Sequence, residues 1–272
     1  MKTAAVVVGR NDNYGENLHH RAKLCMDNLT SKFDKVFYVD WKTLDVTLIE
    51  ACGIKKDNIE VISVTKEHIA KQYPQYIDYP IVESIGRNIG IRSAIEQEYD
   101  WILSTNIDCI IDDVNLNDLD KDTLYTARRR NVPIDYHLNN LISVDILKSL
   151  KHIFNQAQLS VINGQSVWDE GDVWSLVVCC GDFQLAHKTL WSDIRGFEEA
   201  AGGRSYADSN LMKRPIMIGR NTAILDIDIF HLDHTNKSFR LPEEKLPLND
   251  LHTYVGEFKK SKNTKDWGKI LL

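Results

Sequence analysis

The chain has 272 residues, long for one minimal domain and short for two, so one large α/β domain is the first expectation. With 43% hydrophobic and 26% charged residues and no Pro- or Gly-rich stretch, a disordered chain and a linker-joined array are both excluded. A formal net charge of −6 and a pI near 5.9 argue against a nucleic-acid partner, and an anionic ligand would need a local cation or a helix N-terminus.

In chain order, the opening segment has one lysine and a short apolar run, too brief for a signal sequence or a membrane span, and no later segment reaches spanning length. Ala4 to Val8 reads as a buried strand ended by Gly9 and the turn formers Asn11, Asp12 and Asn13. Leu18, Ala22, Cys25, Met26 and Leu29 recur at helical spacing, with Asn13 placed to cap the first turn. Lys35 to Val39 is a second strand closed by Asp40, a helix is expected over Leu44 to Ala51, and Ile59 to Val64 is a third strand. A helix from about Ile81 to Ile95 then leads into a strand at Trp101 to Thr105.

This βαβ rhythm implies parallel pairing and a Rossmann-like nucleotide-binding half. Ligands then gather at the carboxyl ends of the strands, which places Arg10 to Asp12, Asp40 and Asn106 to Asp108 around one crevice. Beyond it the pattern is less regular. A helix is expected near Val144 to Phe154, strands near Leu176 to Val178, Ala223 to Leu225 and Ile229 to His231, and a short helix at Asp208 to Lys213. Arg128, Arg129 and Arg130 are the one tight basic run and read as a solvated face. The five cysteines are odd in number and lack CxxC spacing, which fits reduced thiols, a cytoplasmic location and no closed zinc site.

Asn106-Ile107-Asp108 ends an apolar strand at the carboxyl edge, where a carboxylate and the phosphates of a ligand can share a hard divalent cation such as magnesium or manganese. A plain turn explains the same residue types. Gly86-Arg87-Asn88-Ile89-Gly90-Ile91 precedes that strand, and Trp191, Gly196-Phe197-Glu198-Glu199, Gly202-Gly203, Ala207-Asp208-Ser209-Asn210-Leu211 and Arg214 follow it. In order and spacing these segments resemble the "RN-x-G" helix, "DxD" strand and "GFDE... GGEDxDLxxR" block of family-2-like GT-A glycosyltransferases.

The resemblance implies the GT-A fold, a Rossmann-like α/β domain with a mostly parallel central sheet. It would comprise a nucleotide-binding half at about 1–110, an acceptor and catalytic half at about 111–235, and a tail over 236–272 packed across the surface. It further implies a divalent cation, Mn2+ or Mg2+, held by Asp108 with His231 or His234, and Asn106 standing where relatives have the first acid. Gly9, Arg10, Asn11, Asp12 and Asp40 would hold the nucleoside of a nucleotide-diphospho-sugar donor, with Asn106 beside it and Arg87 on the diphosphate. Asp182, Trp191 and Glu199 would face a glycan or other hydroxyl acceptor. Asp208 would be the general base of an inverting transfer, since a carboxylate within reach can take the acceptor's proton.

Other readings of these residues stay open. Asp208 can be a helix N-cap, either histidine can be structural, and the six tryptophans are more often core than sugar platforms. His19 and His20 read as a surface pair near the nucleotide loop. Asn106 in place of an acid also fits a non-catalytic domain that binds nucleotide-sugar or glycan. A sugar nucleotidyltransferase would want a glycine-rich phosphate loop, and Gly9 to Asp12 contains one glycine.

Overall fold

The structure is a computed structural model and describes residues 1–154, 161–162, 165–166, 181–199, 207–235 and 263–270. The N-terminal part is β1 (Thr3–Gly9), α1 (Leu18–Lys32), β2 (Lys35–Trp41), α2 (Leu48–Ala51), β3 (Ile59–Val64), α3 (Lys66–Gln72), α4 (Glu83–Glu96) and β4 (Trp101–Thr105). It is followed by β5 (Cys109–Ile111), β6 (Thr123–Val132), α5 (Ile134–Asn139), α6 (Val144–Ser149), β7 (Val161–Ile162), β8 (Gln165–Ser166), β9 (Phe183–His187), α7 (Lys188–Ile194), α8 (Ala207–Met217) and β10 (Asn221–Leu232).

Most expected elements are present, with shifts that have local causes. α2 starts at Leu48 because Thr47 and Glu50 form a reciprocal capping box, Glu50 Oε2 accepting from Thr47 N at 2.9 Å. Asn13 does accept the first helical N–H of α1, Leu18 N at 3.3 Å, but from outside the N-cap position, which Asn17 fills at φ 49°. Asp40 lies inside β2 and does not close it. The helix expected to Phe154 stops at Ser149 and continues as a single 3-10 turn. The strands expected at Ala223 and Ile229 are one strand, β10, with an irregularity between Leu225 and Asp228. The strand expected at 176–178 lies outside the described residues.

One eight-stranded sheet has the order β3-β2-β1-β4-β9-β6-β10-β5. β1 to β4, β6 and β10 run one way, while β9 and β5 run the other, so the sheet is mixed. β1 pairs with both β2 and β4, so the chain reverses its direction of sheet growth at β1, the kind of reversal beside whose carboxyl edge α/β sheets bind ligands.

Alternation in β1 shows how the layers are built. Ala5 and Val7 point to the face covered by α1, with Met26 and Leu29, while Ala4 and Val6 point to the opposite face with Ile91, Ala94 and Trp191. α4 lies very close to that second face because Gly86 and Gly90, one turn apart, meet it without side chains. A Cβ at Gly86 would come within 2.7 Å of Val8 Cγ1, and one at Gly90 would overlap Val6. The segment 263–270 also packs here: Trp267 is 3% exposed and lies under the Arg92 guanidinium, 5.7 Å from the ring centre.

Candidate functional site

The mixed sheet collects polar residues at one edge. Residues after parallel strands and residues before antiparallel strands reach the same side. Thr105 at the end of β4 pairs with Phe183 at the start of β9, which brings Asp182 beside Asn106. Cys109 at the start of β5 pairs with His231 near the end of β10, and Leu232 N donates to Asp108 O at 2.9 Å, which brings Asp108 beside His231. Arg129 sits one strand over in β6, where Ile229 is its register partner.

Asp108 and His231, both buried, and the partly buried His234 form one cluster whose ligand atoms lie within 4.8 Å of one another. His231 Nε2 is 3.7 Å from Asp108 Oδ1, and His234 Nε2 is 3.5 Å from Oδ2. The other ring nitrogens meet acceptors: Asp233 Oδ1 lies 3.2 Å from His231 Nδ1, and Thr235 O lies 3.1 Å from His234 Nδ1. With protons on both Nδ1 atoms, both Nε2 lone pairs face Asp108, the arrangement in which outer partners orient histidine ligands. The donor set of two imidazoles and a carboxylate fits a divalent cation.

Two arginines also enter the site: Arg21, to which the sequence assigned no role, and Arg129, expected on a solvated face. Arg21, fully buried on α1, donates from Nη1 to Asp108 Oδ2 at 2.6 Å, and its Nη2 reaches Tyr14 O and Glu16 O. Burial pulls its guanidinium below its ordinary range against the opposing pull of Asp108. Arg129 donates to Asp182 Oδ2 at 2.8 Å and approaches His231 Nδ1 at 3.0 Å. Its neighbours Arg128 and Arg130 pair with Asp226 and Asp228, so the basic run is three ion pairs and not a free solvated face.

His231 shows the local balance. Burial lowers its pKa, but Asp108, the bond to Asp233 and Asp182 outweigh that, and its pKa is raised overall. His234 goes the other way, because burial dominates. Asp233 and Arg129 ask opposite things of His231 Nδ1, a proton from one side and a lone pair from the other. Were His231 to ligate a cation through Nε2, its Nδ1 would carry the proton toward Asp233, and Arg129 would keep its bond to Asp182.

At the nucleotide side, Gly9 is covered by the Tyr38 ring, and a Cβ there would lie 2.8 Å from the Tyr38 hydroxyl. Arg10 Nη1 donates to Pro80 O at 3.0 Å, Asn11 Nδ2 to Val46 O at 2.8 Å, and Asp12 Oδ1 accepts from Tyr14 N at 3.1 Å. His19 joins this loop through Asn11 Oδ1, while His20 stacks on His137. Asp40 is 3% exposed and accepts from Thr43 Oγ1 at 2.7 Å, and burial raises its pKa despite that bond.

Arg87 is also nearly buried. It donates to Ser104 Oγ at 2.9 Å, to Gly181 O at 3.0 Å and to Asn106 Oδ1, so its guanidinium is engaged by the protein. Asn106 Nδ2 in turn donates to Asp182 Oδ1. Asp208, in the first turn of α8, lies against Gly181, whose added Cβ would be 3.0 Å from Asp208 Cβ. This contact joins Asp208 to the Asn106–Asp182 edge.

The three residues expected at the acceptor side separate. Asp182 is 2% exposed and is held by Asn106 and Arg129. Glu199 accepts from Gly268 N at 2.8 Å and Asn88 Nδ2 at 3.1 Å, and burial raises its pKa. Trp191 is a correction: it has no exposed surface, packs on the face away from Asp108 in the core with Ile102 and Phe197, and donates to Ile102 O at 3.0 Å. Gly202 and Gly203 lie outside the described residues.

Arg21 and Arg129 left a signal in the pattern. Arg21 occupies the buried stripe of α1, three residues after Leu18 and four before Cys25. Arg129 has the same strand parity as Tyr125 and Ala127, both buried against α1.

The fold has solved counterparts. A structure of GalNAc-T7 with UDP, GalNAc and Mn2+ matches with a TM-score of 0.52 and 7% identity, over 87% of this chain and 44% of that one. Two structures of S. aureus TarS match at 15% identity with TM-scores of 0.48 and 0.47, covering 86% and 85% of this chain and 37% and 60% of theirs. The chain spans less than two thirds of each of these structures. No family model matches the sequence, and no curated protein matches it. The architecture is the GT-A glycosyltransferase fold, and the GalNAc-T7 likeness carries that assignment.

Proposed function

We propose that this chain is a metal-dependent glycosyltransferase that moves a sugar from a nucleotide-diphospho-sugar to an acceptor hydroxyl with inversion. The observation that carries the reading is the convergence of Asp108, His231 and His234 on one point at the carboxyl edge of a GT-A sheet. Residues 1–235 act in this reading as one catalytic unit, and among the described residues no helix is long and apolar enough to cross a membrane.

Asp108 would hold Mn2+ or Mg2+ with His231 and His234, and the ion would neutralise the charge gathering on the departing diphosphate. Asp40 and the Gly9 to Asp12 loop receive the nucleoside. Asp208 takes the proton as the acceptor oxygen bonds to the anomeric carbon. The bond from that carbon to the diphosphate oxygen breaks on the opposite face, and its electron pair leaves with the nucleoside diphosphate.

The test incubates the protein with Mn2+ and a panel of nucleotide-sugars and measures free nucleoside diphosphate. The panel starts with UDP sugars, because the GalNAc-T7 structure holds UDP. Slow release from one donor is expected even without an acceptor. Binding without release from every donor would favour a non-catalytic nucleotide-sugar-binding domain, a reading to which the Arg21–Asp108 ion pair lends support.

A further inference from the structure

Asn106 stands where the resemblance puts the first acid of the motif, beside the nucleotide, yet its amide is already fixed from two sides. Arg87 has only N–H groups to offer and donates to Oδ1. The Asp182 carboxylate, ion-paired with Arg129, accepts from Nδ2. Only a side chain with one acceptor and one donor satisfies both partners, which also settles the orientation of the amide.

The contact continues beyond Asp182. The Asp182 carboxylate binds Arg129 Nη1 at 2.8 Å, its carbonyl accepts from Thr105 Oγ1 at 2.5 Å, and Arg129 Nη2 lies 3.0 Å from His231 Nδ1. One polar chain therefore runs from α4 across the ends of β4, β9 and β6 to β10. An aspartate at 106 would keep Arg87 but set its second oxygen against Asp182, which is 2% exposed, and two adjacent buried carboxylates repel each other.

We propose that Asn106 is a positioning residue, an amide connector between Arg87 and Asp182 that sets the placement of Arg129 and His231, and that it ligates neither cation nor nucleotide. The connector itself rests on hydrogen bonding alone; its effect on cation binding rests on the metal reading above.

The experiment compares Asn106→Asp, Asp182→Asn and the double variant by thermal unfolding without metal and by Mn2+ titration. Asn106→Asp is expected to lower the melting temperature by roughly 5 °C or more. It is also expected to weaken Mn2+ binding about tenfold, as loss of outer-sphere support does elsewhere. In the double variant amide and carboxylate exchange places, Arg87 and Arg129 both still find acceptors, and at least half of each loss returns.

Tighter Mn2+ binding by Asn106→Asp at an unchanged melting temperature would make residue 106 a ligand and overturn the proposal. A double variant with losses equal to the sum of the two single variants would overturn it as well. If Asn106→Asp does not fold, the folding of the double variant decides the matter in the same way. Coupled melting temperatures with no Mn2+ binding by any variant, wild type included, would uphold the connector and remove the metal reading.

Discussion

The two halves of the sheet deliver residues to the same edge by different means. From β1 to β4 every strand runs parallel to its neighbour, and Arg10 and Asn106 each lie one step past a strand's carboxyl end. Beyond β4 the chain inserts β9 and β5 in the opposite sense, so Asp182 and Asp108 precede their strands, while Arg129 and His231 lie inside theirs. The first arrangement holds a nucleotide loop with backbone and short polar side chains. The second holds charge against charge in near-complete burial, where removing one partner is costly.

This contrast is broken most severely at Asp108. Asp108→Ala leaves Arg21 buried without its carboxylate, and a loss of about 3–5 kcal/mol in urea unfolding is expected together with loss of Mn2+ binding. Adding Arg21→Met should return part of the stability and none of the metal binding. Asp208→Asn acts on chemistry: kcat for donor hydrolysis or transfer should fall by about 10²–10⁴-fold with the nucleotide Kd unchanged. A fully active variant would remove the base assignment.

In the first half the effects are smaller and of another kind. Gly90→Ala pushes a methyl group into Val6, and overpacking of about 1–3 kcal/mol should appear in thermal unfolding, with α4 displaced and Arg87 carried along. Asp40 is subtler. Its pKa is raised in the fold by burial, so the stability it contributes is fully present below the unfolded carboxylate pKa and is lost as pH rises through the folded value. Asp40→Asn should therefore be slightly more stable than the parent at pH 7, with the difference vanishing near pH 3, while nucleotide affinity drops about tenfold from the lost charged bond. Melting curves and nucleotide titrations across pH check both parts.

The same contrast explains what was legible beforehand. β1 and β4 open as apolar runs and β3 alternates apolar and polar residues, and these patterns make the strands of the first half legible, while the capped helix α3 at Lys66–Gln72 carries too short an apolar pattern to be read. β6 carries arginines where its end reaches the polar cluster, and β9 carries Gln184 near that edge and His187 at the far end as the cap of α7, so apolar periodicity does not mark these strands. Asp108, His231 and His234 were accessible through motif order, whereas Arg21 and Arg129 hide as charges on buried stripes whose purpose appears only when Asp108 and Asp182 arrive from far along the chain. Trp191 went astray because aromatic identity says nothing about which face of the sheet a helix covers.

The irregularity in β10 has one more consequence. Leu225 pairs with Ala127 and Asp228 with Arg128, so the two residues Asp226 and Ile227 are inserted without register partners in β6. Two is an even number, and the pleat keeps its parity across the insertion: Ala223, Leu225, Ile227 and Ile229 all meet the α1-side core, and His231 follows them toward Asp108. An insertion or deletion of a single residue here would turn His231 to the opposite face. This stretch of the strand can change length only in steps of two if Asp108 is to keep its partner.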